Sequence, residues 1–410
     1  MGRRSMTRWL AAVALLVGAA CGGGDPAASA VRRGEVVEIP PAELAALEAV
    51  TPEVVLTIDG DRPEAGPLLT YISDVARAAD GTIVLLDARE QGLHLYRPDG
   101  EYLRTLGGRG EGPGEFSRAL MIAVVGDTVA VWESSTRLHL FTLDGTHLTT
   151  ERVESGGDGE EWTGVMDLLG TPMGLLAMRS TLPPGGPRPS PVRALKPYTE
   201  MHQLLRWNPR TTVFDSLFAF PGKFYPVVTR GGPGVEMFGP GVPFAITEDG
   251  GIVRVPDGEL AVEEINSGGE VTRTLVGEVE RTPVTEAHVK QVSSLAVSQF
   301  PPAMREDMES AFRRRPVADH HPAILEILAG ASSRVLVLRA DVGDLLALAA
   351  RRPTEQSWDY FSLDGEVLGR FLIPPTDRPV LLRDGYLHAV RTSPLGVPSL
   401  VVYDLDGEAR

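Results

Sequence analysis

The chain has 410 residues, 43% hydrophobic and 23% charged, a mixture that can bury a large core and that excludes disorder along the whole length. Its formal charge of −16 repels phosphate backbones and argues against nucleic acid as a partner. The single cysteine leaves no intramolecular disulfide framework and no cysteine-based zinc site.

At the amino terminus Arg3, Arg4 and Arg8 precede the apolar run Trp9–Ala20, which stops at Cys21. That run is too short to span a bilayer, which takes roughly twenty residues. A positive start, a short apolar segment and small residues before a cut predict a secretory signal peptide over residues 1–20. The pair Ala19-Ala20 directly before Cys21 resembles the lipobox of bacterial lipoproteins. That resemblance implies lipid attachment at Cys21 and an extracytoplasmic, membrane-anchored location. By resemblance to enterobacterial lipoprotein sorting, Gly22 rather than Asp after the cysteine implies the outer membrane. Gly18 departs from the larger aliphatic residue usual in that family, which keeps a plain signal peptide with an incidental thiol as the alternative. Residues 21–50, opening with the Gly/Ala/Ser-rich Gly22–Ala30, are predicted to be a flexible tether.

Beyond residue 50 short strand-like runs alternate with Gly, Asp and Pro. The clearest unit, 72–107, divides into runs at Ile72–Ala76, Thr82–Leu86, Leu93–Arg97 and Tyr102–Leu106. Asp80-Gly81 and Asp99-Gly100 join them in pairs, and Asp-Gly suits tight hairpins because such turns need positive φ. Four antiparallel strands from one contiguous segment make a propeller blade. Val124–Val153 repeats the pattern, and Asp144 follows Asp99 by 45 residues, close to the usual blade period of about 40–45. Fainter copies over Leu168–Phe220, Phe244–Val276, Ile324–Ile373 and Val380–Arg410 bring the count to six. The last copy runs out after a third strand, while Glu53–Ile58 (EVVLTI) stands unpaired before the first. Because an open sheet edge is a liability, Val54–Ile58 is predicted to complete the last blade and close the ring. The fold class is therefore all-β: a six-bladed β-propeller over residues 51–410.

The stretch from Ile72 to Phe116 resembles an NHL-type repeat of six-bladed propellers, a group that shares its architecture with TolB-like propellers. The likeness is carried by the Asp80-Gly81 turn, Asp87 ending the second strand, Tyr96 in the third and the exit Gly112–Phe116 (GPGEF). It implies a structural role for Asp87, and for Glu133 in the corresponding place, as acceptors of turn hydrogen bonds.

Three stretches exceed what blades require. Pro183–Tyr198 holds six prolines and reads as an irregular loop. Gly222–Pro243, rich in Gly, Pro and aromatics, reads as a loop over one face. In Thr285–Arg315, a capping Thr285 precedes Ala287, Val289, Val292, Leu295 and Ala296 at helical spacing. After the break at Pro301-Pro302 come Met304, Met308 and Phe312 at i, i+4, i+8, so a helical pair must lie on one face as a cap.

Chemistry-bearing motifs are sparse. Gly107–Gly114 lacks the Lys-Ser/Thr of a P-loop and does not fit GxGxxG, so it reads as an inter-blade turn. No GxSxG elbow and no HExxH zinc motif occur. His94 and His139 occupy equivalent third-strand places and read as structural; His320-His321 would point to opposite faces. The acidic Asp158–Glu161 lacks the ligand spacing of a calcium loop. Six-bladed lactonases resemble this architecture and hold a divalent metal in the channel with Asn, Asp and Glu. Here only Asn208 and Asn266 exist, both in turn-like places. Neither a catalytic residue nor a metal or other cofactor is nominated. Among residues expected to face the channel, Asp74, Arg77 and Asp167 are the candidate ligand-binding set. The function these features favour is a lipid-anchored, monomeric binding module for a protein, glycan or small ligand. A metal-dependent hydrolase or lyase of the lactonase-like type, and a structural part in an envelope assembly, are the alternatives.

Overall fold

The computed structural model describes residues 34–62, 66–134, 137–153, 165–181, 198–225, 227–229, 232–234, 236–331, 333–340 and 355–407, with the main chain only for 198 and 224–234. Cys21 and the signal segment lie outside the described residues, as do Pro183–Pro197 and Asp158–Glu161.

Six antiparallel blades follow one another around a ring, each numbered here by its place in the chain. Their first, innermost strands are Ile72–Arg77, Ala119–Val125, Val165–Thr171, Phe244–Ile246, Ile324–Ala329 and Asp377–Arg383. The turn chemistry read from sequence is in place. Gly81 and Gly100 sit at φ +87° and +89°, and the Asp80 and Asp99 carboxylates accept the N–H two residues on. The core lies between blades, where Val, Leu and Ile of neighbouring sheets interdigitate; Val84, Leu86, Val129 and Val131, for instance, pack between blades 1 and 2. Gly107 is needed where it stands: at φ +73°, a Cβ there would lie 2.2 Å from the ring of the fully buried Phe116.

Closure occurs as expected. Glu53–Ile58 pairs antiparallel with Pro398–Asp404, from Leu400↔Ile58 to Asp404↔Glu53, as the outer strand of blade 6. The predicted tether, however, must be shortened. Residues 35–50 are not free: Glu35–Ile39 adds a parallel fifth strand to blade 4 and Ala49–Val50 adds one to blade 5. Between them Pro41–Ala46 forms a short helix with Pro at its start. Ile39 and Leu44 are buried, and the Arg370 guanidinium donates to the Leu47 carbonyl. Burial of these apolar side chains is what holds the stretch to the blades. The amino-terminal stretch is thus a strap along the outer edges of blades 4, 5 and 6.

In an antiparallel blade the connections alternate between the two ends of the ring. First-to-second and third-to-fourth turns share one end, and none is longer than five residues. Second-to-third and blade-to-blade connections share the other end. The longest connections, 182–197, 226–243, 278–323 and 340–355, begin and end there. The excursion after blade 4 carries the expected cap. Glu286–Ser298 is a helix capped by Thr285, whose hydroxyl accepts the His288 N–H, and Arg305–Phe312 is a second helix beyond Pro301-Pro302.

Candidate functional site

The channel is lined by the first strands. In blades 1, 2, 3 and 5 a register skip near the start of this strand places Asp74, Met121, Asp167 and Glu326 at equivalent positions. Blades 1, 3 and 5 therefore each offer a carboxylate at one level, towards the end with the long connections. Sequence reading found Asp74 and Asp167 and missed Glu326. The signal was present as Ile-Ser-Asp, Val-Met-Asp and Ile-Leu-Glu at 72–74, 165–167 and 324–326.

Asp74 spans two blades: Oδ1 accepts the Val75 N–H at 2.9 Å and Oδ2 the Ile122 N–H of blade 2 at 2.8 Å. Asp167 does the same one pair of blades on, accepting the Leu168 N–H at 2.8 Å and a main-chain bond from Ile246 of blade 4. Burial pushes the Asp74 carboxyl up to about 7 against the pull of those N–H groups, and the Asp167 charge adds to the rise. Burial likewise lifts Asp167 to about 6. Glu326 is also raised by burial, with Arg378 opposing. Arg378 closes the seam between blades 6 and 1 by donating to the carbonyls of Ile72 and Ser73 at 3.2 and 3.4 Å.

Arg77, at the far end of the blade 1 strand, lies near the short-turn mouth. Its guanidinium stands 5.3 Å from the Tyr386 ring centre. Arg383, at the same end of blade 6, faces Glu248 at 3.6 Å. The fully buried His388 is held down at about 4, by burial first and then by the Arg77 charge. Asp74, Arg77 and Asp167 thus line one cavity of about 90 Å³, together with Arg383 and aliphatic side chains such as Ile122 and Leu382. The two aspartates stand at one level and Arg77 nearer the opposite mouth. So small a space admits water or a small ion, well below the roughly 300–1,000 Å³ of small-molecule sites.

Among the described residues no three His, Cys, Asp or Glu side chains gather closely enough to hold a metal ion. Asn208 and Asn266 serve turns: Asn208 accepts the Arg210 N–H, and Asn266 accepts those of Gly268 and Glu270. Among the described residues the donor set of a lactonase-like channel metal is therefore not matched.

The remaining polar residues singled out in sequence have structural duties. Asp87 accepts the main-chain N–H groups of Thr70, Tyr71, Arg89 and Glu90, together with the Thr70 hydroxyl. Burial alone would raise its pKa, but these bonds outweigh it and hold the carboxyl below its ordinary value. Glu133 takes the N–H groups of Ser117 and Arg118, and pairs with Arg137 and His139. His94 and His139 bond Thr105 and Thr150 in matching places. His321 is buried while His320 is exposed.

The sequence matches no family model and no curated protein. Solved structures share its shape. One is a member of the DUF4221 family from Bacteroides vulgatus, with TM-score 0.53 and 9% identity over 87% of this chain and 97% of that one. Another is a presumed exported protein from Bacteroides fragilis, with TM-score 0.47 and 10% identity over 90% and 98% of the two chains. A third is a gluconolactonase from Xanthomonas campestris, with TM-score 0.42 and 12% identity over 91% and 99%. At 9% identity the likeness to the first of these is one of fold alone. Among the described residues no helix is long and apolar enough to cross a membrane.

Proposed function

We propose that this protein is a lipid-anchored, extracytoplasmic binding module that meets its protein, glycan or small ligand through the end of the ring bearing the long connections. The observation that carries this reading is the segregation itself. All four excursions leave from one end, and the other end has no turn longer than five residues. Rigid blades hold such loops in fixed relative positions, which is what a recognition surface requires. A ligand reaching into the channel from that end would meet Asp74 and Asp167 before Arg77. Attachment at Cys21 would keep the ring at a membrane while it stays in water.

The test uses the full chain in its native envelope. Cys21→Ser should abolish fatty-acid labelling and release the protein from the membrane fraction. Exchange of residues 286–315 for a short Gly/Ser turn should leave the thermal melt of the ring intact and remove partners that copurify from membranes. Labelling that persists in Cys21→Ser, or partners unaffected by the exchange of this and the other long connections, would overturn the proposal.

A further inference from the structure

A second cavity lies between the cap helices, away from the channel. Its volume is about 740 Å³, inside the range of sites that enclose small molecules. Val289, Val297, Phe312 and Val317 supply apolar walls, and Lys290 and Arg313 stand on its rim. Val297 is buried, whereas Val317 is 40% exposed, so the groove is closed below and open above.

Charge singles this groove out. The chain carries 55 acidic against 39 basic residues, yet residues 286–315 carry five basic against four acidic. Lys290 is exposed and bonds no described residue. Arg313 meets Glu309 only at 3.8 Å, with both side chains mostly in solvent, an arrangement worth little. Arg315 follows directly, its guanidinium 4.4 Å from the centre of the Phe312 ring and lacking an ion-pair partner among the described residues. Glu286 and Glu309 also line the groove, against three cations, Lys290, Arg305 and Arg313, so its lining is net positive in an acidic chain; apolar walls beneath such a lining are complementary to a molecule that is apolar along its length and anionic at one end. A helical peptide fits less well: two helices of 13 and 8 residues are only about 20 and 12 Å long, short of the roughly 800 Å² a side that stable protein interfaces bury.

We infer that the cap groove binds a small anionic amphiphile, its acyl-like chain against Val289, Val297, Phe312 and Val317 and its carboxylate at Lys290 and Arg313. This deepens the binding reading above and rests on it. The cap is tied to the neighbouring long connection and to its own flanking segments through other contacts: Met237 to Pro316 and Ala318, Val284 to Asp319, and His288 to His321 at 3.0 Å. Groove substitutions therefore leave the docking of the cap untouched.

Titration calorimetry of the full chain with decanoate, below its micellar range, tests the inference. A single saturable site is expected, weakened about tenfold by Phe312→Ala or Val289→Asp. The exposed pair Lys290→Glu with Arg313→Glu should weaken decanoate about fivefold and leave decanol nearly unchanged. Thermal melts equal to wild type establish that the variants are folded. No saturable heat, binding that survives Val289→Asp, or equal losses for decanoate and decanol would each overturn the inference. Should decanoate fail while exchange of 286–315 still removes membrane partners, the groove assignment falls and the binding module stands.

Discussion

In blades 1 and 2 the second strand ends in a carboxylate, Asp87 or Glu133, satisfied by main-chain N–H groups at the start of the first strand. In blade 5 the second strand ends in Arg339 and in blade 6 Arg391 is its last residue but one, and the carboxylate has moved to a facing strand. Asp359 takes both Arg339 and Arg370, and Asp377 takes Arg391 and the Tyr403 hydroxyl. Blades 5 and 6 also carry the amino-terminal strap on their outer edges, which blades 1 and 2 lack. The first pair is thus locally complete. The second borrows strands from residues far away in sequence, and both of its blades, like blade 2 alone in the first pair, bury a carboxylate against arginine. Borrowing of that kind makes the ring cooperative, because blades 4, 5 and 6 lose an edge together if the strap lifts.

The largest effect should come from the borrowed strands. Removing residues 53–58 leaves Pro398–Asp404 as an open edge and should abolish the cooperative melt. Removing only 34–50 exposes the Ile39 and Leu44 contacts and should lower the melting temperature by about 5–10 °C while the ring stays closed. Equal damage from the two truncations would break the distinction between a closing strand and a supporting strap.

Next come the carboxylates, compared by chemical denaturation. Asp359→Ala strands Arg339 and Arg370 beside a fully buried site and should cost about 3–5 kcal/mol, as for a broken buried pair. Asp87→Ala frees N–H groups nearer the surface that can turn to water, and should cost about 1–3 kcal/mol. The reverse order would contradict the contrast between the two halves.

The smallest effect is a pH dependence from the channel. Asp74 and Asp167 have folded values raised by burial to about 7 and about 6. Their contribution is therefore complete below the unfolded value and is lost as pH rises through those folded values. His388, depressed by burial to about 4, acts in the opposite sense: its share is present above the unfolded value and lost as pH falls towards that folded value. Asp74→Asn with Asp167→Asn should flatten the decline between about pH 4 and pH 7 by on the order of 2 kcal/mol. A double variant that tracks the wild-type pH curve would show that these carboxyls ionise freely.

The same contrast explains what was legible in sequence. Blades 1 and 2 announce themselves through Asp-Gly turns and a repeated acid, because their stabilising contacts are local. Glu53–Ile58 was legible because the last blade lacked a fourth strand. Glu35–Ile39 and Ala49–Val50 were not, since blades 4 and 5 already have four strands and no vacancy points to a fifth. In the channel, Asp74 and Asp167 stood out as polar residues in apolar strands. Arg378 could not be placed, because its partners are carbonyls of Ile72 and Ser73 some three hundred residues away. The cap helices were readable from Thr285 and the apolar spacing, but the gap between them was not, since spacing says which residues share a face and not how far two faces stand apart.

The central claim, that recognition belongs to the end with long connections, is tested most directly by photo-crosslinking in intact envelopes from one probe at Val317 and another at Asp144 in the short-turn end. The account predicts defined adducts from position 317 and none from position 144. Adducts confined to position 144, or none from either, would contradict it.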